Sequence, residues 1–153
     1  MKIGIIVYSQ TGHTLSVAEK IREKLGEAGH EAVLEQVTVT GEPAEGKFQL
    51  AETPAVDGYE GLIFGSPVQA FSLSAVMKAY LEQLPSLAGK KTAVMVTKQI
   101  PFAWTGGNRA LNTMKQICKD KNAQVAGSAV AFWAASKQEQ SVAACVDSMV
   151  RCF

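Results

Sequence analysis

The chain has 153 residues, and 15 Lys and Arg against 14 Asp and Glu leave a formal charge of +1 with a pI near 7.7. That balance excludes the basic stripe of a nucleic-acid binder, whose domain pI exceeds about 9. With 47% apolar and 19% charged residues, residues 1–153 read as one globular domain rather than a disordered, collagenous or membrane chain, and no stretch approaches the ~18 consecutive apolar residues of a membrane span.

Lys2-Ile3-Gly4-Ile5-Ile6-Val7-Tyr8 opens the chain with an apolar run. It is too short for a signal peptide and lacks a small-residue cleavage site, and its Ile and Val content predicts a strand buried on both faces. Leu15, Ala18, Ile21 and Leu25 then recur at helical spacing with Glu19, Lys20, Glu23 and Lys24 opposite. They predict an amphipathic helix that ends near residues 26–29. Ala32, Leu34, Val37 and Val39 form a looser second strand, and residues 40–57 are polar with Pro and Gly, a long connection with room for one short helix.

Residues 61–65 are a third short apolar strand, followed by a helix with Val76, Met77, Tyr80, Leu81 and Leu84 on one face, stopped by Pro85. Residues 92–96 make a fourth strand. Ala110, Leu111, Met114, Ile117 and Cys118 mark a helix that opens after Gly106-Gly107. Residues 125–132 make a fifth strand, and Val142, Cys145, Val146, Met149 and Val150 a closing helix. Alternating strands and helices predict a three-layer α/β fold, a five-stranded parallel sheet in order 2-1-3-4-5 with helices on both faces. Such a sheet binds ligands at the carboxyl ends of its strands, where the order switches. Three loops are thereby nominated: residues 9–14, 66–72 and 97–107.

The first loop, Ser9-Gln10-Thr11-Gly12-His13-Thr14, places three hydroxyls and a glycine at a helix start. Unpaired N–H groups and the positive end of the helix dipole gather there, a cradle for a phosphate, although the same hydroxyls could also serve as helix caps. No Lys or Arg lies within the loop. Dipoles and hydroxyls without a cation suit a bound monophosphate better than one undergoing transfer.

Ser9-x-Thr11-Gly12-x-Thr14 after a first parallel strand resembles the phosphate loop of the flavodoxin family. Gly65-Ser66-Pro67 resembles that family's second loop and Gly106-Gly107 the start of its third. The likeness runs over essentially the whole chain and is of the short-chain type, since strand five has no room for an insertion. It implies non-covalently bound FMN. Ser9, Gln10, Thr11, Gly12, His13 and Thr14 would hold the phosphate. Ser66, Pro67, Val68, Gln69, Ala70 and Phe71 would border one side of the isoalloxazine, and Thr97, Lys98, Gln99, Phe102, Trp104, Thr105, Gly106 and Gly107 the other. Phe71, Phe102 and Trp104 independently offer flat apolar surfaces there. Lys98 is placed to stabilise a reduced, anionic flavin, or is simply a solvated lysine at a strand end.

Electron-shuttle flavodoxins typically carry a Trp in the second loop, a Tyr in the third and a strongly acidic surface. This chain departs on all three counts, and its near-zero charge cannot steer it to basic partners by net charge. The main expectation is electron transfer or oxidoreductase chemistry through FMN, with no protein nucleophile, no metal, and a redox partner protein or NAD(P)H as electron donor. One alternative is an FMN-dependent NAD(P)H reductase of quinones or similar small acceptors; another is a flavin-free binding or regulatory module.

Two motif matches fail on chemistry. Gly41 to Lys47 has the spacing of an NTP-binding loop, but Phe48 replaces the Mg²⁺-binding Ser/Thr and Glu42 and Glu45 would repel phosphate. Cys145 and Arg151 have the spacing of a thiolate phosphatase, but no glycine lies between them and Asp147 opposes thiolate formation. Cys118, Cys145 and Cys152 lack metal or CxxC spacing and read as reduced thiols of a cytoplasmic protein.

Overall fold

A computed structural model describes residues 1–99, 106–133 and 136–153. Its elements in chain order are β1 (Lys2–Val7), α1 (His13–Glu27), β2 (Glu31–Gln36), β3 (Val39–Glu42), a 3-10 turn at Pro43–Glu45, β4 (Lys47–Leu50), β5 (Gly61–Gln69), β6 (Ser72–Leu73), α2 (Ala75–Gln83), β7 (Lys91–Lys98), α3 (Gly107–Asp120), β8 (Gln124–Phe132) and α4 (Gln138–Arg151). The strands β2-β1-β5-β7-β8 pair in parallel in that order. This is the expected order 2-1-3-4-5, with β6 added antiparallel to the tail of β5.

The continuous apolar run of β1 is explained by helices covering both faces. Ile3, Ile5 and Val7 pack with Val17, Ile21 and Leu25 of α1 and Val142, Val146 and Met149 of α4. Ile6 packs on the opposite face, with Phe64, Met77 and Tyr80, and with Leu111 and Met114 of α3. Burying a side chain such as Phe64 or Ile5 contributes about 1.5–3 kcal/mol each. Helix α1 ends where the glycines placed it: Gly29 takes φ 92, and the His30 N–H donates to the Leu25 carbonyl at 3.0 Å, closing a Schellman turn. Leu84 is extended at ψ 148, as a residue before proline must be, and α2 stops. Among the described residues no helix is long and apolar enough to cross a membrane.

Two stretches differ from expectation. Within residues 40–57, β3 and β4 form an antiparallel hairpin around the 3-10 turn rather than a plain connection. Val39, Phe48 and Leu50 lay their half-buried side chains on the α2/α3 face of the sheet. The false NTP-loop match is the tip of this hairpin. The third strand does not end at Gly65. It continues through Ser66, Pro67, Val68 and Gln69, so most of the expected second loop is extended strand. Pro67 is tolerated because β1 pairs with β5 only as far as Gly65, which leaves that edge without a β1 partner.

Candidate functional site

The end of β1 feeds α1 through Gly12, whose φ of 92 lies in the left-handed region. A Cβ there would meet nothing within 4 Å, so backbone conformation rather than crowding calls for glycine. Ser9 Oγ folds back to accept the Gly12 N–H at 3.2 Å and the Leu15 N–H at 3.3 Å. The His13 and Thr14 N–H groups have no protein acceptor among the described residues. No acidic side chain sits in the first turn. The positive end of the dipole is therefore unopposed, and this cradle fits a phosphate monoester.

Of the three hydroxyls read from the sequence, that of Ser9 caps the loop. Thr14 is buried, its Oγ1 lying 2.7 Å from Thr97 Oγ1 on β7. Thr11 is exposed at the cleft. The His13 ring stacks on Trp133, with centroids 4.3 Å apart and planes 8° from parallel. Sequence reasoning missed Trp133. Its position just beyond the carboxyl end of the fifth strand, on the edge where the loops gather, was the signal available.

On β5, Ser66 is fully buried. Its Oγ donates to the Pro67 carbonyl at 3.0 Å and lies 2.7 Å from Ser74 Oγ. Ser74 in turn accepts the Met77 N–H at 3.2 Å and caps α2. The strand turns back at Ala70-Phe71, with Val68 opposite Leu73 and Gln69 opposite Ser72. Both turn residues have positive φ, 49 and 62. Such turns favour Asn-Gly, and holding Ala and Phe in them costs roughly 1–2 kcal/mol per residue. The tip lies close against Gly106: a Cβ there would lie 2.3 Å from the Phe71 carbonyl carbon and oxygen, so only glycine fits. Phe71 is 53% exposed at the rim.

At the end of β7, consecutive side chains leave on opposite faces. Thr97 meets the start of α1, and Lys98 meets the start of α3, with Nζ 3.3 Å from where a Gly107 Cβ would sit. Burial pushes the Lys98 pKa below its usual value. Phe102, Trp104 and Thr105 lie outside the described residues.

These ends converge on a cleft of about 140 Å³ lined by Gln10, Thr11 and His13 from the first loop, Pro67, Val68 and Gln69 from β5, and Thr97, Lys98 and Gln99. Gln69 Nε2 donates to Gln10 Oε1 at 2.5 Å across its mouth. The same two glutamines border a second cleft of about 560 Å³, walled by Pro43, Ala44 and Gly46 of the hairpin. A larger groove of about 890 Å³ between α2 and α3 carries Lys78, Arg109 and Lys121 together with Glu82 and Asp120. None of the three loops at the strand ends lines that groove, and its charges are of both signs. Among the described residues no cluster of three His, Cys, Asp or Glu could hold a metal. Cys145, the thiol of the false phosphatase match, lies within α4, where burial pushes its pKa up to about 12.

A loop of unpaired N–H donors at the switch point of a 2-1-3-4-5 sheet marks a flavodoxin-like α/β fold. Residues 1–138 match the NADPH-dependent FMN reductase family, and the chain belongs to it. It is 26% identical over 129 residues, 71% of its length, to an Archaeoglobus fulgidus protein named NAD(P)H dehydrogenase (quinone). The match spans 66% of that protein's length. Among solved structures, oxidised flavodoxin 2 from Bacillus cereus is 25% identical with a TM-score of 0.72, covering 99% of this chain and 97% of that one. A Lactobacillus acidophilus flavoprotein in complex with FMN is 19% identical with a TM-score of 0.63, covering 94% and 97%.

Proposed function

We propose that this protein is an FMN-binding oxidoreductase that accepts reducing equivalents from NAD(P)H and passes them to a small acceptor such as a quinone. The observation that carries the reading is the convergence of three strand ends on one cleft beside an unopposed cradle of N–H donors at the start of α1. Family membership and the name of the archaeal relative support the nicotinamide donor and the quinone acceptor.

The His13 and Thr14 N–H groups, with Ser9, Thr11 and the Gly12 pivot, hold the phosphate. Gln10, Pro67, Val68, Gln69, Ala70 and Phe71 form one wall. Thr97, Lys98 and Gln99 form the other, with Gly106 and Gly107 at the start of α3 beyond them. Bound FMN supplies the electron and hydride chemistry. Lys98 stands beside the cleft, and its ammonium form would favour electron uptake there. The stack of Trp133 on His13 fixes the orientation of the first loop. The three unpaired thiols suit a reducing cytoplasm.

The flavodoxin likeness over 99% of the chain favours a second reading, a shuttle loaded by a separate reductase. Anaerobic addition of NADPH to the FMN-loaded protein separates the two. Direct loss of the visible flavin absorbance is expected of the reductase, whereas absorbance that falls only after a flavodoxin reductase is added would establish the shuttle.

A further inference from the structure

We propose that the cleft of about 560 Å³ between the β3–β4 hairpin and the β5–β6 turn is the binding site of the electron acceptor, and that its lining selects an uncharged quinone over a phosphorylated ligand. The proposal rests on the oxidoreductase reading above and deepens it by giving the acceptor a place apart from the cleft of the three strand ends.

The hairpin that makes one wall is anchored at its base and open at its tip. Val39, Phe48 and Leu50 are drawn onto the sheet, and the Ala51 N–H donates to the Thr38 carbonyl at 2.8 Å. At the tip, Ala44, Glu45 and Gly46 are exposed. Pro43, Ala44 and Gly46 bound the cleft on the hairpin side, while Ala70, buried Leu73 and Ala75 bound it on the other. Side chains this small leave the space open, and its volume falls within the roughly 300–1,000 Å³ of small-molecule sites.

Among the described residues no Lys, Arg, Asp or Glu lines the cleft. Glu45 sits between two lining residues and Glu42 precedes them, with Lys47 as the one cation of the hairpin tip. A nicotinamide dinucleotide or other phosphorylated ligand would leave water here beside a net negative tip, with no cation in the lining to meet it. A quinone has no charge to desolvate. Its flat ring suits the apolar walls, and its two carbonyl oxygens need only donors. The bond between Gln69 and Gln10 engages one amide NH₂ and one amide oxygen, so the other NH₂ remains to donate, whichever way the two amides are turned. Ser72 Oγ, bonded to the Gln69 carbonyl at only 3.4 Å, is a second donor.

The two glutamines also border the first cleft, so an acceptor bound here is one pair of side chains from the proposed flavin site. The overall reaction balances as NAD(P)H + H⁺ + quinone → NAD(P)⁺ + hydroquinone: the nicotinamide gives up a hydride, whose two electrons and one proton reach the quinone through the flavin, and solvent supplies the second proton.

The test uses duroquinone, whose fully substituted ring leaves no position for a thiol to add. Ala44→Trp and Ala75→Trp fill the cleft from its two sides at exposed positions. In flavin-free protein, isothermal titration should show duroquinone binding to wild type and weakened roughly tenfold or more in both variants. In FMN-loaded protein the same variants should raise KM for duroquinone by a like factor, with FMN affinity and the rate of flavin reduction by NADPH unchanged. Glu45→Lys should tighten binding of the anionic anthraquinone-2-sulfonate and leave duroquinone unmoved; no response would overturn the charge selection. No duroquinone binding by flavin-free wild type, or an affinity and KM that neither tryptophan moves, would overturn the site, and continued turnover by wild type would show that the reductase reading survives it. If duroquinone binds and both tryptophans block it while NADPH never bleaches bound flavin, the cleft stands as a quinone site and the reductase reading fails.

Discussion

Gly106 and Gly12 both stand at the start of a helix with φ near the same left-handed value, 97 and 92, yet they differ in what surrounds them. Alanine at either position bears the left-handed backbone penalty, roughly 1–2 kcal/mol. At Gly12 that is the whole cost, because the added methyl meets nothing within 4 Å. At Gly106 the methyl would lie 2.3 Å from the Phe71 carbonyl. Backbone cannot rotate away as a flexible side chain does, so the β5–β6 turn must shift, adding about 1–3 kcal/mol. Equilibrium urea unfolding followed by far-ultraviolet circular dichroism should therefore show Gly106→Ala less stable than Gly12→Ala by roughly 1–3 kcal/mol. Gly106→Ala should also weaken FMN binding, because the displaced turn carries Val68 and Gln69 away from the cleft. Equal destabilisation of the two variants would refute the reasoning, since it would mean that the turn yields freely and is not held by the start of α3.

Ser9→Ala removes the acceptor of two loop N–H groups and should cost about 0.5–2 kcal/mol in thermal unfolding; the deficit should narrow in FMN or phosphate, which take over those donors. Lys98→Met removes a positive charge from the cleft wall and should lower the reduction potential of bound flavin by roughly 30 mV if that charge contributes ~1.4 kcal/mol to a two-electron couple; an unchanged redox titration would take Lys98 out of the mechanism. Burial raises the Cys118 and Cys145 thiols from 9.0 to about 12. Above pH 9 the unfolded chain loses protons that the folded chain keeps, so stability is full below that pH and falls as pH rises. Each thiol accounts for about 1.4 kcal/mol of loss by pH 10, to be measured by urea unfolding at pH 7.5 and 10; Cys118→Ala should make that loss smaller by about the same 1.4 kcal/mol, and an unchanged loss would refute the reasoning.

The parallel core was legible because burial on both faces leaves an unbroken Ile and Val run in β1, and because the glycines near residue 29 and Pro85 mark helix ends by backbone chemistry alone. The β3–β4 hairpin was not legible. Its strands are short, and only Val39, Phe48 and Leu50 are drawn in among polar neighbours, which leaves too little alternation to register. The Ala70-Phe71 turn carries none of the residues that announce positive φ, and its close approach to Gly106 is a tertiary contact that no local pattern encodes. In the site, the position of the β1–α1 loop followed from topology. The sequence counted hydroxyls but could not assign their partners, because the bonds from Thr14 to Thr97 and from Ser66 to Ser74 join residues brought together only by the fold. Trp133 became visible as part of the site only when β8 placed it against His13.

The central claim is that the start of α1 holds the phosphate of FMN. Titration of flavin-free protein with FMN, followed by quenching of flavin fluorescence and with inorganic phosphate as competitor, tests it most directly. The account predicts saturable uptake of one FMN per chain, weakened by phosphate; a protein that takes up no added FMN, or binds it with no competition from phosphate, would contradict it.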